Sequence, residues 1–329
     1  MKTHMMLAGV MLFAGTAAIE AQCPTAAADA CRKATDLLSF VTPQLSTAVV
    51  GGNPTLGQGG VLGGFGHFSI DIRASGVNGS MPKLDNVNLG TNGAVSSTFT
   101  SKNQIIPFPS VDVGLGIWNG LSLGVTHVLG LDAILTGTYV PNMKSSDSGD
   151  VHFNVNGSNV KLGYGVRVGL LEEGALWPGA SFVYAQRSLP SISVNGTFSP
   201  PSGGNVSGTM ALNDYAVKTT AWRVTVAKNF LVLNLSAGYG QDKYDASSSI
   251  TATVTAPAPV GTQTGTVNGN LSMTRTNYFV GAALNVIIFK IEGEYGQASG
   301  GSVPTVLNNF GSDPNGSRSY FTLGLRFGR

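Results

Sequence analysis

The sequence predicts an all-β chain: an antiparallel transmembrane β-barrel of about 12 strands, with roughly 10 to 14 admissible, behind a short helical or irregular N-terminal plug. Three observations carry this. From about residue 65 onward apolar residues recur at every second position, the period of a strand. Many of the residues between them are Gly, Ser or Thr rather than the Lys and Glu that a water-facing sheet surface presents. Only 11% of the chain is charged and 45 of its 329 residues are glycine, yet 42% is hydrophobic, too much for a disordered chain.

Residues 1–21 read as a signal peptide. Lys2 and His4 give a short polar start, Met5 to Ile19 is apolar, and Ile19-Glu20-Ala21 fits a cleavage site before Gln22. The apolar stretch is short for a membrane-spanning helix of about 20 residues. A lipoprotein is excluded by spacing, because Gln22 stands directly before Cys23 where a small residue is expected. After the leader the densest apolar run is Val286 to Phe289, so the mature chain crosses a membrane by strands or not at all.

Residues 22–62 form the plug. Cys23 and Cys31, the two cysteines of the chain, are expected to form a disulfide in an oxidising compartment. Along one helix eight residues would hold the two Cα atoms about 12 Å apart, beyond the limit of about 7 Å for a bridge. The chain must therefore turn near Pro24, and a helix follows from Asp29, its candidate cap, to Val41, stopped by Pro43. Gly51 to Gly60 is glycine-rich and irregular.

Residues 63–329 are the barrel. Alternation is clearest in His67–Arg73, Val111–Ile117, Val160–Leu170, Trp222–Val226, Leu231–Tyr239, Phe289–Tyr295 and Phe321–Phe327. Expected strands cover 65–77, 90–101, 109–118, 121–139, 151–171, 179–197, 208–228, 230–254, 263–287, 289–299 and 316–327. Trp118, Tyr139, Trp177, Tyr184, Trp222, Tyr239 and Tyr295 fall where interfacial girdles would lie. Asn-Gly pairs begin at Asn78, Asn92, Asn119, Asn156, Asn195, Asn268 and Asn315 and read as tight turns. Pro141–Gly149, Pro200–Gly208, Ala256–Gly269 and Gly300–Gly316 read as longer outer loops.

Gly52-Asn53-Pro54-Thr55-Leu56-Gly57, Val111-Asp112-Val113-Gly114-Leu115-Gly116, Lys218-Thr219-Thr220-Ala221-Trp222 and Ala237-Gly238-Tyr239-Gly240-Gln241-Asp242 are short motifs spread over the mature chain. With them the chain resembles outer-membrane barrels of the long-chain fatty-acid transporter type, and more closely their uncharacterised relatives. The resemblance implies that the N-terminal residues fold into the lumen as a hatch and that hydrophobic substrates pass through the barrel. It also implies a terminal aromatic read by the barrel-insertion machinery; Phe327 takes that place, although Gly328 and Arg329 follow it. The chain is shorter than the well-known transporters, which leaves room for fewer strands.

Parity puts Asp71, Arg73, Asp112, Lys161, Arg167, Arg223, Lys290, Glu292, Glu294 and Arg326 on the lumen face. They either line a selective channel or pair with one another, because an unpaired buried charge is costly. Glu292 and Glu294 share a face but read as partners for Lys290 and the arginines, not as an acid/base pair. His67, His127 and His152 are the histidines of the mature chain, and no serine motif marks a nucleophile, so no enzyme is expected. No cofactor or metal spacing appears. A net charge of +2 with no basic cluster excludes nucleic acid as a partner. The expected location is the bacterial outer membrane, with lipid around the barrel. The expected function is a channel or passive transporter for small, hydrophobic molecules; the alternative is a closed barrel that binds partners through its outer loops.

Overall fold

The structure is a computed structural model and describes residues 23–82, 89–140, 151–198, 206–286, 288–303 and 306–328. The leader, the loop 141–149 and most of the loop 200–208 lie outside these residues. A 3-10 turn (Thr25–Ala27) opens the described chain and leads into helix α1 (Ala28–Val50). The strands follow: β1 (Phe68–Pro82), β2 (Ser101–Trp118), β3 (Leu121–Ser122), β4 (His127–Val128), β5 (Gly130–Tyr139), β6 (Val151–Val155) and β7 (Val160–Leu171). Next come β8 (Gly179–Ser188), β9 (Ile192–Phe198), β10 (Ser207–Phe230), β11 (Leu233–Ala256), β12 (Gly261–Val286), β13 (Phe289–Ser299) and β14 (Arg318–Gly328).

All of these except the small β3–β4 hairpin join one 12-stranded antiparallel sheet. It closes on itself, since β14 pairs with β1 and β10 pairs with β11. β8 and β9 share β10 as partner, one beyond the other, and β6 pairs with β9 as β7 pairs with β8. Among the described residues the ring therefore has ten staves, two of them interrupted. One rim carries tight connections such as 231–232 between β10 and β11. The other carries the long segments 89–100 and 306–317.

The outward face is a belt of exposed apolar side chains: Phe68, Ile70 and Ile72 on β1, Val111 and Leu115 on β2, Leu135, Leu162, Leu235, Val280, Ile291 and Leu323. Tyr139, Tyr164, Tyr184, Tyr239, Tyr278 and Tyr295 are all exposed, and register sets Tyr184 against Trp222 and Tyr239 against Tyr278 along one edge. Beyond that edge the outward residues of β11 and β12 turn polar, with Thr253 and Thr255 hydrogen-bonded across to Thr264 and Thr262. A contiguous apolar belt this large suits lipid, not water. β10, β11 and β12 are 24, 24 and 26 residues long, more than twice the roughly 10 residues that span a bilayer, and their outer halves project beyond the belt.

The helix lies inside the ring. Ala30, Ala34, Leu38 and Phe40 pack with inward residues of the projecting strands, among them Met210, Ile250, Val254 and Leu271. It runs to Val50, past the expected stop, and holds Pro43 in its interior. A proline removes one backbone bond, but a helix enclosed on all sides draws its stability from packing. Asp29 lies in the first turn and does not cap it. The helix ends at Gly51, whose left-handed φ of 56° lets its N–H reach Thr47 O.

Three expectations are corrected by the structure. Of the expected strand 90–101 only Ser101 lies in one, as the start of β2, and residues 90–100 make a single bridge, Thr98 to Asn309; Asp29 takes two of their amides instead, accepting from Gly90 N at 2.7 Å and Val95 N at 2.9 Å. Asn78-Gly79, Asn195-Gly196 and Asn268-Gly269 lie inside strands and make no turn. At Gly269 the glycine serves close approach, because a Cβ there would sit 2.5 Å from Leu38 Cδ2. Residues 256–269 are likewise not a loop but the tip of the β11–β12 hairpin, which turns over 257–260.

Candidate functional site

Parity decides which charges meet. Odd residues of β1, β7, β8 and the lower part of β10 face inward, as do even residues of β2, β5, β11, β13 and β14. Near the end of the helix, Arg73 Nε lies 2.5 Å from Asp112 Oδ2 and Arg187 Nη2 lies 3.0 Å from Asp112 Oδ1. Nearer the tight-turn rim, Arg326 bridges Asp71 at 2.8 Å and Glu292 at 3.1 Å. Arg167 grips Asp132 through Nε at 2.7 Å and Nη2 at 2.5 Å. On the β10–β11 side Arg223 Nη1 meets Asp242 Oδ1 at 2.8 Å, and Asp242 Oδ2 accepts from Asn277 and Tyr244. All these charged groups are buried, so each pair offsets a desolvation cost that neither partner could meet alone.

The same groups hold the N-terminal segment. Arg187 donates to Val50 O, and Arg73 Nη1 donates to Gly51 O at 3.1 Å and Asn53 O at 2.8 Å. Two guanidinium groups thus face the carbonyl end of α1, where the helix dipole is negative. Glu294 accepts from Asn53 N at 3.0 Å, and Asn53 Nδ2 donates to Thr225 at 3.0 Å. Arg326 donates to Leu56 O, Arg167 to Gln58, and Asp132 accepts from Leu62 N. Small wall residues allow this contact. A Cβ on Gly59 would lie 2.6 Å from Gly179 O, and one on Gly130 2.5 Å from Val61. A cavity of about 10 Å³ beside Val50, Pro54 and Arg223 leaves room for one water at most.

The long-loop end is built on the helix too. Asp36 Oδ2 accepts from Leu307 N at 2.7 Å, Asn308 N at 3.0 Å and Asn308 Nδ2 at 2.8 Å. Phe310 stacks on Phe40 at 4.5 Å and on Phe99 at 4.9 Å, which locks segments 89–100 and 306–317 to one helix face.

Of the ten charges read from the sequence, eight join this belt: Asp71, Arg73, Asp112, Arg167, Arg223, Glu292, Glu294 and Arg326. Lys290 has the inward parity but is half-buried, at the tight-turn end of β13. Lys161 shares inward parity with Arg167 and is exposed, at the start of β7 beyond the reach of the segment. Asp132, Arg187 and Asp242 escaped the reading, although Leu131-Asp132-Ala133 and the extension of Leu235-Ala237-Tyr239 to Asp242 carry the same parity signal. His127 Nδ1 contacts Glu172 Oε2 at 2.7 Å on the tight-turn rim, His67 precedes β1 and His152 lies in β6. Cys23 and Cys31 are bonded, with Cα atoms 6.7 Å apart.

No protein-family model matches the chain, and no curated protein matches it. Solved structures do. The outer-membrane protease OmpT of Escherichia coli is 10% identical with a TM-score of 0.38, covering 80% of this chain and 97% of its own. The translocator domain of the autotransporter NalP from Neisseria meningitidis is 10% identical with a TM-score of 0.34, covering 92% and 99%. An outer-membrane channel from Pseudomonas putida F1 is 10% identical with a TM-score of 0.34, covering 84% and 98%.

Proposed function

We propose that the chain is a bacterial outer-membrane barrel that stands closed and works at the cell surface, its lumen segment acting as the scaffold of the outer loops. One observation carries this reading: Asp29, Asp36 and Phe40 of the lumen helix hold the segments 89–100 and 306–317 in place. In this reading lipid covers the belt, the leader is removed near Ala21, and the last strand with Phe327 is read by the insertion machinery. The long-loop rim faces outward, as in barrels with short periplasmic turns.

A second reading is favoured by one feature. The segment is tied to the wall by non-covalent contacts, the disulfide being internal to it. It can therefore serve as a hatch for small hydrophobic molecules, as the resemblance to long-chain fatty-acid transporters implies. Planar-bilayer recording on the full-length mature protein separates the two. The closed barrel gives no stable conductance, and deletion of residues 22–62 gives an open one. Steady conductance from the full-length protein would overturn the closed reading in favour of the hatch.

A further inference from the structure

The lumen segment has a direction. Its start lies against the projecting strands, because Cβ atoms on Gly265 of β12 would meet Cys23 Sγ at 2.7 Å and Cys31 Sγ at 2.9 Å. Leu38 then meets Gly269, Gln44 donates to Ser80 O at 2.9 Å, and Gly51 reaches Ser75. Lower contacts follow in order: Leu56 with Arg326, Gly59 with Gly179, and Leu62 with Asp132. Gly64 approaches Asn119 on the tight-turn rim, and β1 begins there at Phe68. Residues 23–67 thus cross the whole lumen from the long-loop rim to the tight-turn rim, antiparallel to β1.

We infer that the barrel carries its own mature N-terminus to the cell surface and presents it there as a disulfide-clipped knob. The knob is the loop closed by Cys23 and Cys31, with Pro24 and Thr25 exposed at its tip. A second strand of chain has no path back through the barrel, since α1 and residues 51–64 already occupy it. Any peptide or domain joined before Cys23 is therefore displayed outside. The inference rests on the orientation proposed above, with the long loops outward.

The test places a short epitope tag at one of three sites in the full chain: between Gln22 and Cys23, in the 257–260 hairpin tip, or in the 231–232 turn. Intact cells are treated with protease, and heat-modifiable mobility confirms that each variant folds. The expected result is loss of the N-terminal and hairpin-tip tags with the 231–232 tag retained. An N-terminal tag retained while the hairpin-tip tag is lost overturns the inference and leaves the orientation standing. Retention of the hairpin-tip tag with loss of the 231–232 tag overturns both.

Discussion

Arg73→Leu tests whether the lumen charges exist to hold the N-terminal segment. Arg73 donates to Gly51 O and Asn53 O, and hydrogen bonds from a charged group contribute about 1.5–3 kcal/mol each. Gly51 O keeps Ser75 Oγ at 2.9 Å and Thr322 Oγ1 at 3.3 Å, so its loss is the smaller, about 1 kcal/mol. Asn53 O loses a bond worth about 2 kcal/mol. Asp112 loses Arg73 at Oδ2 but keeps its charge paired, because Arg187 and Thr136 still reach Oδ1. The sum, about 3 kcal/mol, is a roughly 100-fold increase in local opening. Hydrogen exchange by mass spectrometry on the protein in liposomes reads this at the amides of Gly51, Asn53 and Thr55, which are bonded in the closed state. Exchange there should accelerate by about that factor while β11 and β12 stay protected. Unchanged exchange at residues 50–56, or equal acceleration throughout the barrel, would refute a holding role. Lys161→Leu, on the same parity but exposed, should leave these amides unchanged.

Gly269→Val puts a side chain against Leu38 and should lower stability by about 1–3 kcal/mol, measured as a shift in urea midpoint in liposomes and recovered by Leu38→Ala. Asp132→Ala leaves Arg167 buried without its carboxylate and should cost about 3–5 kcal/mol, whereas the pair Asp132→Leu with Arg167→Met should fall close to wild type; a double variant as weak as the single one would count against the pairing. Phe310→Ala removes the ring between Phe40 and Phe99, a local loss of about 3–5 kcal/mol. Protease should then cut within 89–100 and 306–317 faster, with the mobility of the folded barrel unchanged.

Much of this was legible because a strand exposes its environment at every second residue. Ile70-Asp71-Ile72-Arg73 announces lipid on one side and a polar lumen on the other. The same rule located eight belt charges, although not their partners, since Arg73 and Asp112 meet across a register that no local pattern encodes. The projecting halves of β11 and β12 were harder. Their outward residues are Thr, Ser and Asn, which read as loop once the strand leaves the lipid. Glycine was the least legible residue. In Asn268-Gly269 it marks the approach of a helix more than two hundred residues away in sequence, a contact indistinguishable from turn chemistry in one dimension. Pro43 misled for a related reason, because the wall that sustains the helix past it comes from distant strands.

The threaded lumen also limits how the segment can leave. A ring closed by the pairing of β14 with β1 offers no lateral opening, so the segment can move only along the barrel axis. The oxidised loop at Cys23–Cys31, broader than an extended chain, then sits at the far mouth like the head of a bolt. Withdrawal in one direction is opposed by that head, and in the other by the covalent start of β1 at Phe68. Retention of the segment is in this sense a property of how the chain is strung as much as of the bonds along it.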